Sequence, residues 1–142
     1  AVSPSMFAYF AALNLLDSRV LFSNHKVSEL MDPATQAHRS SLERHHLFPK
    51  AFLKTIGISK TRETNQIANY TMVEWGDNAK ISDSSPAEYV PVLQERFNNH
   101  ELERMYYWHA LPDNWENLEY QDFLRQRRVL IFRTRFPICW NQ

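Results

Sequence analysis

The chain offers little material for a sheet. Ile67 to Trp75 is rich in β-branched and aromatic residues and reads as a strand. Leu42 to Phe48 alternates poorly; with Pro49 and then Ala51, Phe52, Leu53 and Ile56 behind it, it reads as a short strand or extended arm turning into a helix that ends at Gly57. Elsewhere apolar residues recur at helical spacing behind recognisable starts. Ser3-Pro4 pairs a capping hydroxyl with a first-turn proline, and Phe7, Phe10, Ala11, Leu13 and Leu16 follow. Val27 to Met31 is a helical turn stopped by Asp32-Pro33, and the polar stretch Thr35 to Ser41 is a loop. Gly76-Asp77-Asn78 marks a turn into a short helix. Ser84-Ser85-Pro86-Ala87-Glu88 is a second capped start with its acid in the first turn, leading through Tyr89, Val90 and Leu93.

Glu101 to Trp108 is helical, Leu111 to Asn114 breaks it, and Leu118 to Phe136 forms a long amphipathic pattern with Tyr120, Phe123, Leu124, Leu130 and Ile131 as core positions. Arg125, Arg127, Arg128, Arg133 and Arg135 decorate this last helix, as a solvated salt-bridged face or, alternatively, a DNA-backbone contact surface. Tyr106, Tyr107, Trp108, Trp115 and Trp140 read as core, with stacking on bases as the alternative. The pattern predicts an α+β, mostly helical fold. With 142 residues, 44% of them hydrophobic, it is read as a single domain over residues 1–142 around one core.

Cys139 is the only cysteine, so neither a disulfide framework nor a cysteine-ligated zinc site can form within one chain. A metal here must use His, Asn, Asp or Glu. Apolar stretches fall far short of a bilayer span and the N-terminus has no signal-peptide pattern, so a cytoplasmic setting without membrane contact is expected. Sixteen basic and sixteen acidic residues cancel, which restricts any nucleic-acid contact to a local patch. The start at Ala1, without Met and directly before a helix, predicts a fragment of a longer protein.

His45 and His46 stand out as adjacent imidazoles, although on a strand they would leave opposite faces. The wider pattern is His45-His46-Leu47-Phe48-Pro49, then Phe52-Leu53, then Asn65-Gln66-Ile67-Ala68-Asn69, and then Asp77-Asn78-Ala79-Lys80. It resembles the HNH (ββα-metal) nuclease motif. The nine-residue interval from Asn69 to Asn78 is similar to that in the HNH domain of RNA-guided CRISPR nucleases. Lys80-Ile81-Ser82 and Pro86-Ala87-Glu88-Tyr89 look more specifically like the C-terminal HNH domain of GmrSD-type modification-dependent restriction endonucleases. The resemblance is best over Leu42 to Leu93.

It implies a small ββα-metal centre, spanning about residues 42–82, packed among helices. It also implies His45 and Asn78 as ligands of one divalent metal, Mg²⁺ or Mn²⁺, His46 as general base, and Asn69 as the residue that orients the base. His45 stands where many members carry aspartate, so the site carries less negative charge. The implied activity is DNA cleavage to 5′-phosphate and 3′-hydroxyl ends, in restriction of foreign DNA such as phage DNA. The implied partner domain is a ParB-like nucleotide-hydrolysing domain on the N-terminal side. One centre per monomer would nick, and a homodimer would supply the second centre for a double-strand cut.

The chemistry of these residue types agrees with the roles. A neutral imidazole accepts a proton near pH 7. A hard cation prefers the oxygen of an amide, phosphates and water, and an imidazole nitrogen adds compatibility with Mn²⁺. Two arrangements let neighbouring histidines serve one site: the base and the metal lie on either side of the scissile phosphate, or Pro49 twists the arm out of strand geometry. Asp77 is a candidate additional ligand or a turn-forming aspartate, and Lys80 a phosphate contact or an exposed helix residue. His25, His38, His100 and His109 have no partner spacing and read as surface or core residues. The rival functions are a catalytically inactive DNA-binding or interaction module on the same framework, and a hydrolase of RNA or another phosphoester.

Overall fold

A computed structural model describes residues 4–32, 42–74, 81 and 83–135. Helix α1 (Pro4–Leu15) is followed by the short α2 (Val27–Met31) and by strand β1 (Leu42–His46). Two short helices, α3 (Lys50–Thr55) and α4 (Thr61–Thr64), and a 3-10 turn (Ile67–Asn69) then carry the chain to strand β2 (Tyr70–Glu74). Helices α5 (Pro86–Gln94) and α6 (Asn99–Trp108), a 3-10 turn (Trp115–Asn117) and the long α7 (Tyr120–Arg135) complete the described chain. The fold is α+β and mostly helical, as predicted, with one small antiparallel sheet among the described residues. No helix among those residues is long and apolar enough to cross a membrane.

The starts and stops follow local chemistry. Helix α5 begins where expected: Glu88 accepts hydrogen bonds from the backbone N–H and hydroxyl of Ser85, at 2.8 and 2.9 Å. These bonds also hold the Glu88 carboxyl below the usual glutamate range. Helix α3 gives way to Gly57, whose φ of +86° is the left-handed conformation that ends helices and favours glycine. The strand predicted from Ile67 begins only at Tyr70, because Ile67 to Asn69 wind into the 3-10 turn.

Strands β1 and β2 pair with His46 opposite Tyr70, His45 opposite Thr71 and Arg44 opposite Met72. Directly paired side chains share a face, so the sheet separates two apolar layers. Tyr70 and Met72 pack with Tyr9, Leu13, Val20, Val27 and Leu30 of the N-terminal helices and their connection. Val73 faces the larger cluster, with Leu47, Phe48, Leu53, Ile81, Tyr89, Met105, Trp115, Phe123 and Leu124. Phe48 is the aromatic hub of that layer, its ring 4.8 Å from Phe123, 5.3 Å from Tyr120 and 6.2 Å from Trp115. The segment that follows the two histidines is thereby anchored in the main core. Full burial of a phenylalanine stabilises by about 2–3 kcal/mol.

Several expected core positions differ. On α1 the buried stripe is Tyr9 and Leu13, four residues apart, which leaves Phe7 62% exposed. Tyr107 is exposed, whereas Trp108 and Trp115 are buried as expected. On α7, Tyr120, Phe123 and Leu124 are buried, and Leu130 and Ile131 are half-buried. The predicted loop Thr35–Ser41, the turn Gly76-Asp77-Asn78, and Ser3, His38, Trp75 and Trp140 lie outside the described residues.

Candidate active site around His46

Strand β1 is regular through His46, so the two imidazoles leave opposite faces of the sheet. His46 is half-buried over Tyr70, with ring centroids 4.4 Å apart. On the same face the Arg44 guanidinium lies 4.8 Å from the centroid of the Tyr70 ring, a cation–π contact. The His46 Nε2 sits 3.0 Å from the Asn65 side-chain oxygen. Burial is the largest influence on the His46 pKa and lowers it. The Asn65 hydrogen bond opposes that, and the positive Lys50 and Arg44 add to the lowering, for a net shift below the ordinary histidine value. The shift favours the neutral form of the ring.

Asn69 occupies the centre of the scaffold and is fully buried. Its side-chain oxygen accepts from the Phe48 N–H at 2.8 Å, and its nitrogen donates to the carbonyls of Phe48 and Thr64, each at 3.1 Å. Its backbone carbonyl accepts from the Leu47 N–H at 2.8 Å. Asn69 thus closes the excursion between the strands. It touches the backbone just after His46, while the ring itself is held by Asn65. Tyr89 of α5 fixes the same turn from the other side, its hydroxyl donating to the Leu47 carbonyl at 2.6 Å.

Helix α7 supplies the outer support, and here the expected arginine face divides. Arg125 is exposed and pairs with Asp122 at 2.7 Å, and Arg128 is exposed with a 2.8 Å bond to the Gln66 side-chain oxygen. Arg127 is completely buried. Its guanidinium donates to the carbonyls of Ala68 and Tyr70 at 2.9 and 2.8 Å, to the His109 carbonyl at 3.1 and 3.2 Å, and to the Tyr9 hydroxyl at 3.1 Å. It therefore holds the residues on both sides of Asn69. Burial pulls the Arg127 pKa down, and the neighbouring Tyr9 opposes this. Two turns earlier, the Tyr120 hydroxyl donates to the Glu63 carbonyl at 2.7 Å and pins α4, the helix that delivers Asn65. Burial pushes the Tyr120 phenol up to about 12.

His45, half-buried, lies on the opposite face beside the buried Thr71. Thr71 contacts the buried His109, whose Nδ1 is 3.3 Å from the hydroxyl and whose Nε2–H donates to the Arg19 carbonyl at 2.8 Å. His109 is thus a core residue. His25 pairs with Glu74 at 2.7 Å at the end of β2, where Glu74 also accepts from the Ser23 hydroxyl. Asn78, Asp77 and Lys80 lie outside the described residues, so His45 is the described member of the predicted ligand pair. Among the described residues no three His, Cys, Asp or Glu side chains converge on one point. An imidazole nitrogen and an amide oxygen are donor types that divalent cations accept.

Asn65, Tyr89, Tyr120 and Arg127 make contacts around His46 and the turn after it that the motif did not predict. Arg127 had a visible signal, since it falls at helical spacing with Tyr120, Phe123, Leu124 and Ile131 on the buried stripe of α7. No known family profile and no solved structure matches the chain. It is 43% identical over 54 residues to the uncharacterized protein MJ0686 of Methanocaldococcus jannaschii, a stretch that is 38% of this chain and 9% of that protein.

Proposed function

We propose that this chain is an HNH-type metal-dependent DNA endonuclease domain acting in restriction of foreign DNA. The observation that carries the reading is the setting of His46: a half-buried imidazole, hydrogen-bonded by Asn65, on a strand whose exit is locked by Asn69. The rest of the motif, with Asn78 in the position that matches a second ligand, supports the ββα-metal form of that centre.

His46 takes a proton from a water molecule as the water oxygen forms its bond to phosphorus. The bond from phosphorus to the 3′ oxygen breaks, and that oxygen leaves as a hydroxyl protonated by solvent, with the phosphate on the 5′ side. His45 and Asn78 would hold a divalent cation, which when bound would supply charge stabilisation at the phosphate and the leaving oxygen. The chain's own contribution is to aim one imidazole and to shield it on the Tyr70 side. Arg44, Lys50 and Arg128 are exposed cations on the surface around this face and suit backbone contact. In the whole protein the resemblance supports a ParB-like nucleotide-hydrolysing domain ahead of this one, and a homodimer where both strands are cut.

Supercoiled-plasmid nicking with Mg²⁺ or Mn²⁺ tests the reading. Loss of a general base costs roughly 10²- to 10⁴-fold, so His46→Ala is expected to lower the rate by that order. Asn78→Ala is expected to change the metal concentration required. A His46→Ala protein that nicks as fast as wild type refutes the base assignment, and specific binding without cleavage would mark a non-catalytic DNA-binding module.

A further inference from the structure

The motif assigns Asn69 to orienting the base, yet the described contacts of the Asn69 side chain are with the backbone of Phe48 and Thr64. The side chain in hydrogen-bond contact with the His46 ring is Asn65, nineteen positions after it. We propose that Asn65 is the positioning residue of His46: its side-chain oxygen accepts the Nε2–H, which fixes the ring's rotation and tautomer and leaves Nδ1 as the proton-accepting nitrogen. This rests on the nuclease reading for its catalytic consequence and on geometry alone for the tautomer.

Three features make Asn65 suited to this. An imidazole carries one proton on its two nitrogens when neutral, and a carbonyl oxygen at 3.0 Å selects the nitrogen that bears it. The ring has a second restraint, since Tyr70 packs against it with centroids 4.4 Å apart and planes tilted by 46°, and the Asn65 hydrogen bond adds a fixed point at the ring edge. The Asn65 backbone is itself held, because its N–H donates to the Thr61 carbonyl at 2.9 Å at the end of α4, and the Tyr120 hydroxyl secures that helix through Glu63. The Asn65 side chain is exposed, and the hydrogen bond described for it is the one to His46. Replacement therefore removes the contact without opening a cavity.

The test uses the full chain, with Asn65→Leu to remove the acceptor and Asn65→Asp to retain it. Long-range proton–nitrogen correlation spectra of the His46 ring, recorded where the ring is neutral, read the tautomer directly. The expected result is predominantly Nε2–H in wild type and Asn65→Asp, and a mixture in Asn65→Leu. A wild-type ring protonated mainly at Nδ1, or a tautomer ratio that does not move in Asn65→Leu, overturns the proposal. In the nicking assay Asn65→Leu is expected to lower kcat roughly 10- to 100-fold, the usual scale for loss of an orienting partner. KM and the metal requirement should stay near wild type, with Asn65→Asp recovering most of kcat. Unchanged kcat in Asn65→Leu, or equal impairment in both variants, overturns it as well. If wild type and His46→Ala nick equally, the nuclease reading falls, while the spectra still decide whether Asn65 sets the tautomer.

Discussion

Replacing Arg127 with methionine asks whether a buried cation with no described carboxylate partner is structural. The substitution keeps the length and apolar character of the stem and removes every donor. It would leave the carbonyls of Ala68, Tyr70 and His109 without the guanidinium bonds they now accept, in a region closed to solvent. An unsatisfied buried acceptor costs roughly 1–3 kcal/mol, so three bring the loss to roughly 3–9 kcal/mol. Relief of the desolvation penalty of the charge, itself several kcal/mol, offsets part of that. The expected net destabilisation is about 3–5 kcal/mol, a Tm lower by roughly 10–15 °C for a chain of this size. Urea unfolding is the assay, with the midpoint falling at unchanged slope. Arg127→Lys should recover only part of the loss, because an ammonium cannot reach three carbonyls in the fork geometry of a guanidinium. If Arg127→Met unfolds within ~1 kcal/mol of wild type, the carbonyls have other donors and the reasoning is wrong.

Asn69→Ala should destabilise by about 3 kcal/mol and reduce nicking by releasing the turn after His46, and Asn69→Asp should not rescue either property, because two carbonyls face the amide nitrogen. Comparing the urea midpoints and nicking rates of the two variants checks this, and full rescue by aspartate contradicts the hydrogen-bond assignment. Tyr89→Phe should cost about 1–2 kcal/mol through the Leu47 carbonyl, read by the same unfolding assay; an unchanged midpoint would show that water replaces the hydroxyl. Glu74 is subject to burial, which raises its pKa, but hydrogen bonds from Ser23 and His25 and the charge of Arg96 outweigh it, so its folded pKa lies below the usual 4.5. The stability it contributes is complete above that value and is lost as the pH falls through the folded one. The gap in urea midpoint between wild type and Glu74→Gln should shrink as the pH drops below 4.5, and a gap independent of pH refutes this.

What could be read from the sequence was what neighbours along the chain decide. Ser85, Pro86 and Glu88 lie within one turn, so the start of α5 was visible without knowing anything else about the fold. The β1 arm was visible because Pro49 had to end it, and Asn69 was visible because a motif fixes its place. The onset of β2 was misplaced by three residues. Ile67 and its neighbours have strand composition, yet the 3-10 turn there is what carries the Asn69 side chain inward to the Phe48 backbone, a tertiary demand that outweighs propensity.

The supports that were missed are those in which distant segments share one polar network. Asn65 is an unremarkable polar residue at the end of a four-residue helix until the fold brings it to His46. Arg127 was counted with exposed arginines although its position belongs to the buried stripe of α7, because charge normally places a residue outside. These connections form one path: Arg127 holds Ala68 and Tyr70 on either side of Asn69, Asn69 holds Phe48, and Tyr120 holds the helix end that presents Asn65. Helix α7 is thereby linked to the His46 segment through backbone hydrogen bonds. A substitution of Arg127 or Tyr120 in its buried stripe should therefore disturb the setting of His46 more than one at the exposed Arg125, which pairs with Asp122 on the same helix.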